Sequence, residues 1–347
     1  MNNLNSKTKN HFDQKLPFVI YRKPNEKNII GIFQSNDDLF LINDFAEKGF
    51  VFCSFDGNQN IIIPSNQSET FIFENEFIDS ISDSNFDNNT NLKSKSDFEK
   101  LVSNGILAIK NNEFQKVVLS RKEVLELKNF DLLTVFSKLA SQYQSAFRYC
   151  FYHPKVGLWF GATPEQLLQV ENKNFKTVAL AGTQKYEGSI NVDWQEKEVQ
   201  EQKYVTDFIL KSLKKTVINI KVSNPFSARA GNLIHLKSEV SGSLNSTYDL
   251  HQIIKILHPT PAVCGLPKQS AKDFILQNEN YNRDFYTGFL GEINILNKTD
   301  LFVNLRCIQI VDNIAYIYIG CGITKDSIPD KEFLETVNKS ITMKRVI

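Results

Sequence analysis

Short apolar runs separated by polar turn residues dominate the first 77 residues of the chain. Runs of this kind, rich in phenylalanine and β-branched residues, are typical of strands, and they occupy residues 18–21, 29–33, 50–52, 61–63 and 71–73. Their close spacing predicts an antiparallel sheet. Residues 1–15, which are rich in asparagine and lysine, are expected to be frayed.

A polar segment at residues 79–95, mostly serine, asparagine, aspartate and lysine, predicts an exposed linker. Ser96 and Glu99 then have the spacing of a capping box, and apolar residues at helical spacing follow. Further helices are predicted from Asp131, over residues 196–214 and from Pro329. The other apolar runs predict strands at residues 116–121, 147–152, 156–160, 167–170, 175–180, 233–240, 288–295, 301–310 and 314–319. Several strands follow one another along the chain, with helices only between some of them. This order predicts an α+β fold with large antiparallel sheets.

The composition is that of a soluble globular protein, with 41% hydrophobic and 23% charged residues. A formal net charge of +1 gives no electrostatic reason to expect nucleic acid or a membrane as a partner. The five cysteines are an odd number without C-x-x-C spacing, which favours reduced thiols over disulfides or a zinc site. Since no apolar signal segment or bilayer-spanning run is present, the expected location is cytoplasmic.

Two predicted helices each carry a Glu-x-x-Glu pair, Glu198 with Glu201 and Glu332 with Glu335. Residues three apart share one face of a helix, and Lys339 lies on the face of the second pair. Each pair on its own is more simply a solvated helix surface. If the two helices face each other, their carboxylates form an all-oxygen site for Mg²⁺, Mn²⁺ or Ca²⁺. A di-iron site is the rival interpretation, but it normally requires histidines that both pairs lack.

Lys116 and Glu165 are candidates for acid–base chemistry. Lys116 begins an otherwise apolar strand. Either its stem covers the sheet while its amine reaches water, or the amine points into a cavity and acts as a general base. Glu165 follows a Thr-Pro turn and precedes two leucines, so its carboxyl group either caps the turn or points into a cleft.

Glycines at two predicted strand ends offer backbone N–H groups to a ligand. Gly182 and Thr183 follow one strand, where they form either a simple turn or a carboxylate contact. Gly320 and Gly322 end the last strand, where glycine lets a ligand approach the backbone closely.

Three further features have both a structural and a functional interpretation. Arg306 is a lone charge in the predicted strand 301–310, so its partner is either a structural acid or a substrate carboxylate. Residues 257–267 contain three prolines and a glycine, which predict an irregular loop that either lines a pocket or only connects elements. His235 is interpreted as a core histidine.

Together these pieces resemble the chorismate-utilising enzymes, the family of isochorismate, salicylate, anthranilate and aminodeoxychorismate synthases. The resemblance extends from about Ser96 to the end of the chain. It rests on seven motifs in one order: KVVLSR at 116–121, GATPE at 161–165, LAGT at 180–183, EKEVQE at 196–201, LHPTPAV at 257–263, GFLG at 288–291 and the segment 320–339. The resemblance implies a central sandwich of large antiparallel sheets with helices outside. Residues 96–347 would be the chorismate-binding catalytic region, and residues 1–95 a strand-rich part of the same fold.

Within the family, the chain is most similar to isochorismate synthase. Lysine at the start of the KVVLSR strand resembles the members that use water, and Lys116 has that place. Aminodeoxychorismate synthases carry a lysine before the Gly-Thr pair, where Ala181 stands here. The departures from the common pattern, at Thr163, Val263, Cys264 and Cys321, are expected to affect the shape of the pocket more than the chemistry.

The implied reaction converts chorismate to isochorismate, with Lys116 as the base that activates water and Glu165 as the acid that protonates the leaving C4 hydroxyl. The resemblance implies Mg²⁺ as the cofactor. Its expected ligands are Glu201 and Glu335, with Glu198 and Glu332 nearby. The residues implied in substrate binding are Gly182, Thr183, Ala262, Tyr286, Arg306, Gly320 and Lys339.

Three other functions remain open at this stage: salicylate synthase, an ammonia-using synthase with a glutaminase partner, and a non-catalytic binding protein with the same fold. Lys116 and Glu165 argue against the last. For the favoured function no glutaminase subunit is expected, the protein would be a monomer or weak homodimer, and the product would feed menaquinone or siderophore biosynthesis.

Overall fold

The computed structural model describes residues 4–74, 92–230, 233–245 and 249–347. Within these residues the strands, numbered in chain order, form two antiparallel sheets. Sheet I contains, in spatial order, β15 (Gly265–Leu266), β7 (Lys116–Glu126), β19 (Ile314–Ile323), β18 (Cys307–Val311), β9 (Gly157–Thr163), β8 (Phe147–His153), β1 (Phe18–Arg22), β2 (Ile29–Gln34) and β6 (Ser68–Phe73). Sheet II contains β12 (Val217–Val222), β14 (Leu233–Leu244), β11 (Asn174–Lys185), β10 (Gln166–Glu171), β17 (Lys298–Val303), β16 (Phe289–Ile295), β4 (Gly49–Cys53), β5 (Asn60–Pro64) and β3 (Phe40–Leu41), with β13 (Phe226–Ala230) paired to β14.

The two sheets pack face to face, and aromatic side chains fill the layer between them. In β4, Phe50 and Phe52 point into this layer, whereas Val51 and Cys53 point to the opposite face. This alternation is the period of two that a pleated strand imposes on its side chains. The Phe52 ring stacks on Phe151 of sheet I with 4.4 Å between ring centroids. Both faces of the strand are buried, so the apolar runs are nearly continuous in sequence.

Helices cover the outer faces of the sandwich. They are α1 (Leu4–Asp13), α2 (Leu92–Lys110), α3 (Leu132–Gln142), α4 (Glu196–Leu213), α5 (Leu250–Leu257), α6 (Lys268–Asn278) and α7 (Pro329–Lys344). The α1 and α3 helices pack on sheet I, whereas α4 and α5 pack on sheet II. The α2 and α6 helices cover the end of sheet I formed by β7 and β19, together with Phe333 of α7.

Two of the points at which the chain crosses between the sheets are neighbours. One crossing joins β9 of sheet I to β10 of sheet II, and the other joins β17 of sheet II to β18 of sheet I. The Val303 N–H donates to the Glu165 carbonyl at 2.9 Å, and the Ala162 N–H donates to the Arg306 carbonyl at 3.0 Å. The two crossings therefore lie side by side and bring Glu165 and Arg306 to the same gap between the sheets.

Three of the predicted elements are wrong. Residues 4–13 form α1 and are not frayed, because Leu4 packs into the core on the outer face of sheet I. The α2 helix begins at Leu92, so the predicted capping box lies inside the helix and residues 92–95 are not linker. Residues 79–91 of that linker lie outside the described residues. The predicted strand 301–310 is two strands in different sheets, because the backbone turns at Arg306, whose φ is 48°.

The α+β class, with large antiparallel sheets in a sandwich and helices outside, is confirmed. Strands that precede residue 75 lie in both sheets: β1, β2 and β6 in sheet I, and β3, β4 and β5 in sheet II. The short strands β3, β12, β13 and β15 and the helices α5 and α6 have no counterpart among the predicted elements. Among the described helices, none combines the length and the hydropathy that crossing a membrane requires.

Candidate active site

A cavity lies beside the two crossings, between the last strands of sheet I, β11 of sheet II and helices α4 and α7. All seven residues predicted to bind substrate line it: Gly182, Thr183, Ala262, Tyr286, Arg306, Gly320 and Lys339. The predicted acid Glu165 and three of the four predicted metal ligands, Glu198, Glu201 and Glu335, line the same cavity. Residues from motifs up to 174 positions apart are thus brought to one site.

Glu165 lies in the β9–β10 crossing, and its side chain is 4% exposed. Its carboxyl group accepts a long hydrogen bond, 3.4 Å, from the Thr260 hydroxyl. Burial raises the pKa of Glu165 to about 7, against smaller opposing effects led by the Lys116 ammonium. Near neutral pH this residue can therefore hold a proton and give it up, as a general acid must.

Lys116 is the first residue of β7, and its side chain is fully buried. Its amine donates to the Glu201 carboxylate of α4 at 2.6 Å. Burial alone would raise the pKa of Glu201, but the Lys116 ammonium holds it below its ordinary value. The Lys116 amine therefore does not reach water, which excludes the first of its two predicted orientations. Lys116 is not among the residues that line the cavity, and its amine contacts the cavity wall through Glu201.

Gly322 of β19 leaves the space in which this ion pair forms. A Cβ atom there would lie 2.7 Å from Glu201 Oε1, closer than real Cβ contacts, and 3.1 Å from Lys116 Cε, which is also tight. At Gly320, a Cβ atom would meet the Tyr286 hydroxyl at 2.9 Å. The two glycines of the last strand are therefore required by close side-chain approach in this site.

Arg306 and Lys339 bring positive charge to the cavity. Arg306 stands at the crossing between sheets and not within a strand, which corrects the sequence-based interpretation of its surroundings. Its guanidinium makes one long hydrogen bond, 3.4 Å, to the Thr342 hydroxyl, and burial lowers its pKa. The Lys339 amine donates to the Gly320 carbonyl at 3.1 Å and pairs with Glu335 at 2.7 Å. An anionic substrate would find two cations here.

The four predicted metal ligands differ in their surroundings. Glu198 Oε2 is buried and has no hydrogen-bond partner among the residues that the structure describes. Glu201 and Glu335 are each paired with a lysine. Glu332 is 3% exposed, lies behind the cavity wall and pairs with Lys197 at 3.2 Å. The unsatisfied oxygen of Glu198 and the oxygen-only donor set suit Mg²⁺. Across the described ranges, however, no three His, Cys, Asp or Glu side chains are grouped closely enough to hold a metal ion as they stand.

His235 of β14 also lines the cavity, and the sequence-based interpretation as a core histidine missed this. Its Nδ1 lies 3.0 Å from the Gly182 carbonyl oxygen, which fixes Nδ1 as the protonated nitrogen. Nε2 is then an acceptor, and it is buried without a hydrogen-bond partner in the described part of the chain. Burial, and after it the Arg306 charge, lowers the pKa of His235 to about 3. The neutral ring therefore offers the cavity one hydrogen-bond acceptor.

A buried network behind the cavity fixes its wall, and no sequence pattern pointed to it. Arg283 pairs with Glu279 and donates to the carbonyl oxygens of Val118, at 2.7 Å, and Val263, at 3.0 Å. Glu279 also accepts from the Ser120 N–H at 2.7 Å. Val118 and Val263 both line the cavity, so this ion pair holds β7 against the loop that follows α5.

Comparison with known proteins agrees with this geometry. The family model described as chorismate binding enzyme matches residues 56–347. The chain is 27% identical over 259 residues to the salicylate biosynthesis isochorismate synthase of Pseudomonas aeruginosa, covering 72% of this chain and 54% of that protein. It is 29% identical over 251 residues to the isochorismate synthase MenF of Haemophilus influenzae, covering 69% of this chain and 57% of that protein. The chain thus spans little more than half the length of these relatives.

The fold is also that of a solved structure. The menaquinone-specific isochorismate synthase MenF from Escherichia coli superposes with a TM-score of 0.80 at 21% identity, over 96% of this chain and 89% of that one. This likeness concerns the fold, while the family model covers the segments from which the cavity is built. The chain belongs to the family of chorismate-binding enzymes.

Proposed function

We propose that the protein converts chorismate to isochorismate, with Lys116 as the general base and Glu165 as the general acid. One observation carries the proposal: Glu165, whose carboxyl group can hold a proton near neutral pH, lines the same cavity as Glu201, the ion-pair partner of Lys116, and as Arg306 and Lys339. Chorismate carries two carboxylates, so a site with cations beside a neutral acid matches its charge.

In the proposed reaction, water attacks ring C2 while the bond between C4 and its hydroxyl oxygen breaks. Lys116 takes the proton from the attacking water, and Glu165 gives a proton to the departing oxygen, which leaves as water. Lys116 is an ammonium in its ion pair with Glu201, so it must first lose one proton to solvent, and release its hydrogen bond to Glu201, before the neutral amine can take a proton from water. The proton that Glu165 supplies is held there by burial, as its raised pKa indicates.

The other cavity residues would orient the substrate. Arg306, with the Tyr286 hydroxyl and the Gly320 backbone, is suited to the enolpyruvyl carboxylate. Gly182 and Thr183 offer backbone and hydroxyl donors on the opposite wall. His235 Nε2, as an unused acceptor, can receive a hydrogen bond from a ring hydroxyl.

We infer that Mg²⁺ is the cofactor and that Glu198, Glu201 and Glu335 would hold it, with Glu332 behind them. A bound Mg²⁺ would neutralise the ring carboxylate of the substrate. The partnerless Glu198 oxygen supports this inference. Removal of the metal with EDTA should abolish turnover and added Mg²⁺ should restore it, and Glu335→Gln should weaken the metal response. Full activity in EDTA would contradict the inference.

The deciding experiment is product identification. The purified protein is incubated with chorismate and Mg²⁺, and the product is identified by NMR, since isochorismate and chorismate have the same mass. We expect isochorismate as the product. A Glu165→Gln variant, purified in the same way, is the control for contaminating enzymes. Salicylate as the main product would instead assign a salicylate synthase. An aminated product in the presence of ammonium above pH 8 would overturn the assignment of water as the nucleophile.

Water as the nucleophile also bears on partners. A water-using enzyme needs no supply of ammonia, so we propose that the chain acts without a glutaminase subunit, as a monomer or weak homodimer. Size-exclusion chromatography with light scattering, over a range of protein concentrations, tests the oligomeric state.

A further inference from the structure

A second cavity, which we call the vestibule, adjoins the candidate active site. Its volume is about 390 Å³, and it lies between the end of β11 and the solvent-facing side of α7. Thr183, Glu335 and Lys339 line both the vestibule and the active-site cavity. The two cavities are therefore neighbours separated by these side chains, and a ligand that passes between them touches residues of the active site.

The lining of the vestibule is strongly cationic. Lys185, Lys331, Lys339 and Arg345 contribute to it, against a single carboxylate, Glu335, which is already paired with Lys339. Among the residues that the structure describes, Lys185, Lys331 and Arg345 form no ion pair within 4.0 Å. Since the whole chain has a net charge of only +1, this excess of positive charge is a local feature.

One face of α7 forms the floor of this vestibule. Lys331, Leu334, Asn338, Ile341 and Arg345 follow at spacings of three and four, which places them in one stripe along the helix. Within the stripe, Leu334 is 50% exposed, and a cation stands at each end. A lysine in the first turn of a helix opposes the helix dipole, so helix stability does not account for Lys331. An apolar centre between cations suits a small ring that carries carboxylates.

We propose that the vestibule is the first binding site of the dicarboxylate substrate, from which it enters the active-site cavity. This inference rests on the proposed function, because it assumes a cyclic dicarboxylate as substrate. Unpaired cations around the mouth of a cleft raise the local concentration of an anion and speed its association, by about 10- to 10³-fold in known cases. Salt screens this attraction, so the association rate constant should fall as the salt concentration rises.

The test compares two triple variants with the same net charge. Lys185→Gln, Lys331→Gln and Arg345→Gln neutralise the vestibule. Lys48→Gln, Lys211→Gln and Lys215→Gln remove three exposed lysines elsewhere, none of which forms an ion pair with another described residue. The association rate constant of chorismate is measured by stopped-flow fluorescence, using Trp194, whose ring would lie 3.3 Å from a Cβ atom at Gly182. The salt concentration runs from about 0.01 M to about 1 M, where the Debye length falls from about 30 Å to about 3 Å.

At low salt we expect the vestibule variant to associate about tenfold more slowly than the wild type, and the control variant to stay within about twofold. At high salt all three rate constants should converge. Equal rates and equal salt dependence of the two variants would overturn the proposal, as would a deficit of the vestibule variant that persists at high salt. Turnover is assayed separately on the wild type. Vestibule-dependent binding of chorismate without conversion to isochorismate would refute the proposed function and leave the vestibule assignment standing.

Discussion

Glu165 and Glu201 are two shielded carboxyl groups of one cavity that differ in protonation. Glu165 stands at the crossing between the sheets, where burial raises its pKa to about 7. Glu201 stands on α4 at 2.6 Å from the Lys116 amine, and its pKa is lowered. Burial alone favours the neutral form of both, so the lysine at hydrogen-bond distance makes the difference. Glu165 can therefore act as an acid, whereas Glu201 is held as a carboxylate anion.

The first and largest test removes the lysine. Lys116→Ala should lower kcat by at least about 10²-fold and up to about 10⁴-fold, because a positioned base is lost. KM for chorismate should change little, because in the proposed site Arg306 and Mg²⁺ would bind the carboxylates. Steady-state kinetics measure both, after circular dichroism confirms folding. A near-normal kcat would mean that the base is elsewhere, with His235 the next candidate.

The second test removes the acid. Glu165→Gln should lower kcat by about 10²- to 10⁴-fold. In the wild type, kcat should fall as pH rises through about 7, because the protonated form of Glu165 is then lost. In the Glu165→Gln variant, kcat should not show this fall as pH rises through about 7.

A double variant sharpens the second test. Because both groups act in one displacement, Lys116→Ala with Glu165→Gln should be scarcely worse than either single change. If instead the loss of kcat in the double variant equals the product of the two single losses, the two residues act in separate steps.

The third test breaks the ion pair without removing either partner. Gly322→Ala places a Cβ atom 2.7 Å from Glu201 Oε1, so the Lys116–Glu201 pair must shift. Small displacements of reacting groups can cost about 10²-fold in rate, and we expect a loss of kcat of that order. Gly105→Ala, where a Cβ atom meets only apolar side-chain atoms, with Leu119 Cδ1 the nearest at 3.0 Å, is the control. Wild-type kinetics in Gly322→Ala would show that the pair tolerates displacement.

The smallest effect expected is on stability, and it has opposite signs for the two carboxyl groups. The raised pKa of Glu165, from 4.5 to about 7, means that its ionisation opposes folding above pH 4.5, at a full cost of about 3 kcal/mol above pH 7. Glu165→Gln should therefore raise the free energy of unfolding at pH 8 relative to the wild type and have little effect below pH 4.5. Urea denaturation at several pH values, in EDTA, measures this.

Glu201→Gln should do the reverse in the same experiment. The lowered pKa of Glu201 contributes stability above pH 4.5, which is lost as pH falls through its folded-state value. The variant should be less stable than the wild type at pH 8, with the difference shrinking in acid. If both variants shift stability in the same direction at pH 8, the contrast between the two carboxyl groups is wrong.

Much of the site was predictable from local pattern. Lys116 at a strand start, the Thr-Pro turn before Glu165 and the Glu-x-x-Glu pairs are visible in sequence and lie at or beside one cavity. The role of His235 was not predictable, because a histidine in an apolar strand has the same sequence signature whether or not it faces a cavity. That Glu332 lies behind the wall while Glu198 keeps a free oxygen depends on how the two helices are rotated.

Local periodicity was enough to predict most strands of the sandwich, the helix that carries Glu201 and the helix that begins at Pro329, but not the short strands β3, β12, β13 and β15. It did not determine that residues 301–310 divide between two sheets, that residues 4–13 are helical or that Lys116 pairs with a residue 85 positions away. Alternation along a strand records which faces are buried, but it does not record which strands are neighbours. Those choices depend on contacts between distant segments, and they place an acid and an ion pair in the same cavity.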